Sequence, residues 1–254
     1  MDVGVGRGSI FNEYEYVGYG LRSDDARERM AEAVDIMTRA WTDTPLDHRG
    51  RFYTLSLPEL RPVPVQKPHP PIWHSVVSAP SFEACGRAGV PILTVRLPTE
   101  LIGDRLGLYA KGLAESGLDA NTQRQRLSSA ALWRWIYVGE SRAEAEDTFA
   151  ETLRHTRQHM AHARSAFNPP DFQIPNAMLN PWTDTVVSEE EGIRFAMANG
   201  TIIGSLADVT GQIAALHDAG VGHVLAQMSF GYMDHAKIRA SMRRFGTEIM
   251  PKFK

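Results

Sequence analysis

Short apolar, β-prone runs recur along this chain, and a helical stretch follows each of them. They lie near residues 2–6, 72–77, 90–95, 130–138 and 223–228. Such alternation calls for a parallel sheet covered by helices, because parallel strands need crossover connections that bury both sheet faces. No sequence repeat at a fixed period is visible, so a solenoid is not expected.

The helices are readable from spacing and punctuation. Ser23 or Asp24 is expected to cap a helix running to about Trp41, with Ala26, Met30, Ala33, Val34, Met37 and Trp41 on its apolar face. Pro80 suits the first turn of a helix ending near Gly89. Ile102, Leu106, Tyr109 and Leu113 share one face of the next. Ser141 caps a long polar helix, and another covers Glu189 to Ala198. Ser205 begins a helix with Leu206, Val209, Ile213 and Leu216 inward, ended by Gly220. Ile238, Met242, Phe245 and Ile249 mark a closing helix that Pro251 stops. Residues 58–71 hold six prolines and read as an extended connector. Residues 9–24 read as a loop, and 168–186 lack periodicity.

Composition narrows the function classes. A net charge of −3 implies no basic surface, so nucleic acid is not an expected partner. No apolar run approaches the ~20 residues that cross a bilayer, and no signal peptide is visible. The single cysteine, Cys85, sits among small and apolar neighbours and reads as a packed hydrophobe. These features give the expectation of a cytoplasmic protein.

Two segments invite an anion. GVGRG at residues 4–8 follows a strand, but Gly4, Gly6 and Gly8 give GxGxG, and Ser9 stands where a dinucleotide fingerprint needs its last glycine. Arg7 there can pair an anion through its planar donor fork. In VVSAPSFEA, Ser78 and Ser81 flank a helix start after a strand, where free N–H groups and the helix dipole favour negative charge. Plain N-capping competes with that reading. His155, His159 and His162 share helical spacing, but no acid or thiol completes a metal set, so no metal is expected. No GxSxG, HExxH or Walker-type loop occurs.

Three stretches carry a resemblance to a known family. They are GVGRGSIFNEYEYVGYG with ARERMAEAVDIMTRAW; HRGRFYTL leading into LRPVPVQKPHPPIWHSVV and FEACGRAGV; and GSLADVTGQIAALHDAGVGHVLAQMSFG with FGTEIMPKF. In these the chain resembles the luciferase-like monooxygenases, the barrel flavoenzymes that include bacterial luciferase. The resemblance implies an α/β fold of the (β/α)8 TIM-barrel type, with its site at the C-terminal ends of the strands. In the family about three β/α units precede the GxGRG strand. Residues 1–254 are therefore expected to form one partial, N-terminally shortened barrel domain of about five parallel strands, with a variable insertion near 140–204.

The resemblance also implies roles. Arg7, Arg27, Ser78 and Ser81 would hold a flavin phosphate, and His74, in a barrel strand, is the one candidate acid or base. Reduced FMN, delivered by a flavin reductase, would react with O2 and oxygenate a small organic substrate. A homodimer is the expected assembly. Two alternatives stand beside this: a deazaflavin-dependent hydride-transfer enzyme, and a non-catalytic flavin-binding subunit.

Overall fold

Strand and helix alternate where the apolar spacing places them in this computed structural model, which describes residues 1–95, 97–174 and 187–253. The stretch without periodicity at 168–186 lies, from residue 175 onward, outside the described residues. The chain packs as two compact units. The first comprises Met1–His74 and Ala166–Ile174, and the second Ser75–Ser165 with the described residues after 186.

In the first unit β1 (Val3–Val5) pairs in parallel with β4 (Ile72–Val76), from Val3 opposite Ile72 to Val5 opposite His74. Between them come α1 (Glu13–Val17), α2 (Ala26–Thr42) and an antiparallel hairpin, β2 (Leu46–Arg49) with β3 (Thr54–Leu57). Three local expectations need correction. The loop at 9–24 contains α1, a single short turn of helix. The hairpin was not expected, because each strand is only four residues long and offers little pattern. The N-cap of α2 is Asp25, and no side chain caps it. Its carboxylate binds Arg29 at 2.9 Å instead, while the Ser23 N–H donates to the buried Glu13.

Carboxylates, the buried Glu13 and the partly buried Glu32, organise this unit. Glu32 on α2 accepts from His48 Nε2 at 3.0 Å, from the Phe52 N–H at 3.1 Å and from the Tyr53 N–H at 2.9 Å, so one side chain ties helix to hairpin. Arg29 lies over the Phe52 ring at 4.4 Å, a cation–π contact beside the same junction.

The second unit holds β5 (Ile92–Val95), β6 (Ala131–Val138), β7 (Thr201–Gly204) and β8 (His223–Gln227), all parallel to their partners. Ala131 to Trp133 pair with both β5 and β8, so those strands lie on opposite edges of β6. Trp135 pairs with both β7 and β8, which puts β7 on the β5 edge, further along β6. β7 was not expected: its four residues follow a helix without a break. The helices are α3 (Ala79–Arg87), α4 (Thr99–Ala114), α5 (Ala120–Ser128), α6 (Arg142–Phe167, whose end belongs to the first unit), α7 (Glu189–Gly200), α8 (Leu206–Asp218) and α9 (His235–Arg244).

One sheet face is sealed by a cluster that includes Phe82, Ile102, Tyr109, Leu132, Ile136, Val209 and Ile249. Helices α3 and α4 meet at Gly86 and Gly112, where a Cβ on Gly112 would stand 2.3 Å from the Glu83 carbonyl. The closing helix differs from its expected face. Ile238 and Ser241 are buried while Met242 is 42% exposed. The Ser241 hydroxyl accepts the Val138 N–H at 2.8 Å, an inward task that Met242 cannot perform. A π-helical turn over Phe245–Ile249 then brings Ile249 back inward.

Candidate functional site

Ser78 and Ser81 come together as the spacing suggested. β4 delivers Ser78 to the N-terminus of α3 in extended conformation, and Pro80 sits in the first turn. The Ser78 hydroxyl makes no capping bond to a helix N–H. It lies 2.7 Å from the Ser81 hydroxyl instead. The competing N-cap role is therefore not what its side chain does. Two hydroxyls side by side at a helix start form a donor set suited to an anion.

In the first unit Arg7 lines a cavity of about 420 Å³ with Gly4, Gly6, Tyr16, Arg29 and Tyr53. The Tyr16 hydroxyl donates to the Arg7 carbonyl, which fixes the backbone and leaves the guanidinium exposed. Gly8, with φ +87°, makes that close approach possible, since a Cβ there would meet the Tyr16 hydroxyl at 2.5 Å. Arg27 is exposed on α2 and does not line this cavity; Arg29 does.

His74 stands on the face of β4 that also carries buried Ile72 and Val76. Burial pushes its pKa down, which keeps the ring neutral near physiological pH, and it has no hydrogen-bond partner among the described residues. Its face is opposite that of Trp73 and Ser75. His155, His159 and His162 are exposed on α6. The His155 ring stacks on Tyr232 at 5.3 Å, and no group of three metal-binding side chains exists among the described residues.

The sheet register assembles a surface that the linear sequence conceals. On the other face of the sheet, paired residues form rows, Leu93–Ala131–His223, then Val95–Trp133–Leu225, then Thr201–Trp135–Gln227, and Trp135 packs against a second hydrophobic cluster that includes Tyr137, Phe149 and Phe230. Trp133 and Trp135 meet edge to face, with centroids 5.0 Å apart and planes at 64°. Phe149 of α6 closes on Trp135 at 5.9 Å. The opposite face of β6 carries Arg134, a buried guanidinium that donates to the Leu97 and Trp133 carbonyls. Burial draws its pKa down to about 10, so it stays charged. At the end of β6 Tyr137 is pushed up to about 12, by burial and then by its hydrogen bond to Glu144. Sequence reading recognised ALWRWIYV as a strand; the alternation of its two tryptophans was the available signal that they share a face.

A family model described as luciferase-like monooxygenase matches residues 1–223. The oxygenase component of a flavin-dependent trigonelline monooxygenase from Acinetobacter baylyi is 23% identical over 256 residues, covering 100% of this chain and 68% of that protein. Monooxygenase RslO1 from Streptomyces bottropensis matches with a TM-score of 0.76 at 20% identity, over 100% of this chain and 69% of that one. The oxygenating constituent of 3,6-diketocamphane monooxygenase from Pseudomonas putida, in complex with FMN, matches at TM-score 0.66, 19% identity, and 100% and 71% coverage. An F420-dependent secondary alcohol dehydrogenase gives the same TM-score of 0.66 at 19% identity, with 100% and 69% coverage.

Proposed function

The chain belongs to the luciferase-like monooxygenase family, and from that premise we propose that it acts as the oxygenase component of a flavin-dependent monooxygenase, using reduced FMN and O2 on a small organic substrate. Its fold is the (β/α)8-barrel type of the family, represented here by the strands β1, β4, β5, β6, β7 and β8 with their helices. Among the described residues no helix is long and apolar enough to cross a membrane.

The observation that carries the reading is the serine pair. Its hydroxyls are 2.7 Å apart at the start of α3 and are not spent on capping, so they fit a phosphate monoester. When bound, the flavin supplies the oxygen chemistry. The chain's own work is binding and orientation: Ser78 and Ser81 donate hydroxyls to the phosphate, and Arg7 is assigned to the anionic cofactor from the family pattern. Arg27 is retained from the same pattern. His74 stays neutral and is the proposed acid–base group of lowest rank. A separate reductase supplies reduced flavin, in keeping with the oxygenase-component relative. Residues 1–254 as one barrel-type domain and a homodimeric assembly belong to the same proposal.

The F420-dependent neighbour has a TM-score equal to that of the FMN-bound one, so deazaflavin hydride transfer is the second reading. Separate titrations of FMN and deazaflavin against the protein decide between them. Tight FMN binding that Ser78→Ala/Ser81→Ala weakens supports the first reading; binding of deazaflavin alone overturns it. Arg7→Ala should cost about 1.5–3 kcal/mol of FMN affinity, the scale of a hydrogen bond to a charged group. Unchanged affinity removes Arg7 from the site.

A further inference from the structure

We infer that Asn168, on the segment that follows α6, is a positioning residue for Arg7: it sets α1, and α1 sets the backbone of the GVGRG loop. This rests on the reading of Arg7 above as the group that meets the flavin phosphate, and names the residue behind it.

The sequence prepares Asn168 for the task. Pro169 and Pro170 follow it. A proline disfavours helical backbone in the residue before it, so α6 ends at Phe167 and Asn168 leaves the helix. The two prolines also fix φ just beyond it, so the chain around Asn168 has few conformations to lose when its side chain is held. The Pro169 carbonyl accepts the Phe172 N–H at 2.9 Å and closes a turn there.

The Asn168 amide binds two backbone groups at the start of α1, in the same compact unit. Its Oδ1 accepts the Tyr14 N–H at 3.1 Å, and its Nδ2 donates to the Phe11 carbonyl at 3.1 Å. The partners stand 154 and 157 residues away in the chain. The Tyr14 and Phe167 rings meet beside them, with centroids 6.1 Å apart. A helix start leaves N–H groups without intrahelical partners, and the N-cap side chain ordinarily accepts one of them. Asn12 holds that position but makes no capping bond; its side chain donates to Glu15 at 2.9 Å. Asn168 thus supplies from a distance the acceptor that the local cap does not. A helix of five residues has little stability of its own, so this external cap fixes where α1 lies. An amide suits the position because one end must accept while the other donates, and a carboxylate does only the first.

From α1 the connection reaches Arg7 in one step. The Tyr16 hydroxyl donates to the Arg7 carbonyl. On the other flank the Ser9 carbonyl accepts the Asn12 N–H at 3.2 Å. The placement of α1 therefore decides the backbone at residues 7–9, and with it the direction in which the Arg7 side chain leaves the loop.

The test uses the full chain and two flavins, FMN and riboflavin, which differ only in the phosphate. Asn168→Ala should weaken FMN binding about 2- to 12-fold, the worth of one hydrogen bond, and leave riboflavin binding unchanged. In an Arg7→Ala background it should weaken FMN binding no further, because the two substitutions then remove one interaction. Unchanged FMN affinity overturns the inference. So does a loss that riboflavin shares, or one that adds in full to the loss from Arg7→Ala, because Asn168 then supports the fold and not Arg7. If Asn168→Ala does not fold, Tyr16→Phe reads the second link: the same FMN-specific loss supports the inference, and its absence overturns it. Failure of the unsubstituted protein to bind either flavin overturns the reading of the flavin site instead. Amide hydrogen exchange at residues 7–9 then decides the inference: it should quicken in Asn168→Ala or Tyr16→Phe, and an unchanged rate overturns it.

Discussion

In the first unit the side chain that ties most backbone together is a carboxylate, Glu32, whereas in the second it is a hydrocarbon cluster that includes Phe82, Tyr109, Leu132 and Ile249. Among the described residues, Leu46 alone of the large, fully buried side chains belongs to the first unit. The difference has a physical cause. Area removed from water stabilises without regard to pH and without demanding direction. A partly buried carboxylate such as Glu32 stabilises through hydrogen bonds to its charged form, so its contribution depends on direction and on its proton being off. The first unit is thus held by geometry and charge, and the second by packing.

The comparison breaks most visibly at Phe82, which has no exposed surface. Phe82→Ala should cost about 3–5 kcal/mol, the usual range for a core aromatic. Urea unfolding measures it, and a cost below about 1 kcal/mol would show that the cluster is not what holds the second unit. The deficit should be the same at pH 7 and pH 5.

Two glycines on α4 sharpen the same point. A Cβ at Gly112 meets the Glu83 carbonyl at 2.3 Å, while one at Gly107 meets nothing within 4 Å. Gly112→Ala should therefore destabilise by about 1–3 kcal/mol through overpacking. Gly107→Ala should stabilise by about 0.5–1 kcal/mol, because helix formation then costs less backbone entropy. Thermal unfolding of the two variants should move in opposite directions. Equal shifts would mean that α3 and α4 can slide apart at no cost.

The smallest expected effect tests the first unit. Burial alone would raise the pKa of Glu32, but hydrogen bonds from His48, Tyr53 and Phe52 outweigh it and hold the pKa below the ordinary carboxylate value. The stability this adds is complete above that ordinary value and disappears as pH falls through the lowered one. Glu32→Gln should hence be less stable than the unsubstituted chain at pH 7, and the two should converge as pH falls below the ordinary carboxylate value and through the lowered one. A difference that stays constant over that range would show that Glu32 acts by shape and not by charge.

The strand-and-helix plan was legible because burial imposes a period. ALWRWIYV and HVLAQ read as strands, and Val209, Ile213 and Leu216 as one helix face, from spacing alone. What escaped were α1, α5 and the β2–β3 hairpin, whose residues bury little, and β7, which is buried throughout but is four residues long and follows α7 without a break. The serine pair was visible because Ser78 and Ser81 are three residues apart at a helix start. The cap of α2 was misplaced because Ser23, Asp24 and Asp25 all suit the position. The choice fell to Glu13, which engages the Ser23 N–H, and to Arg29, which engages Asp25.

The sequence by itself determined the alternation of parallel strands with covering helices and the family to which the chain belongs, since both rest on local patterns of apolar residues and turns. Only the tertiary structure decided which side chains stand side by side. Trp133 acquires Val95 and Leu225 as row-mates through strand register, and Glu32 acquires His48 and the Phe52 and Tyr53 amides through a hairpin. A period fixes which face a residue occupies, but not its neighbour across the sheet, because that pairing is set by contacts between segments distant in sequence.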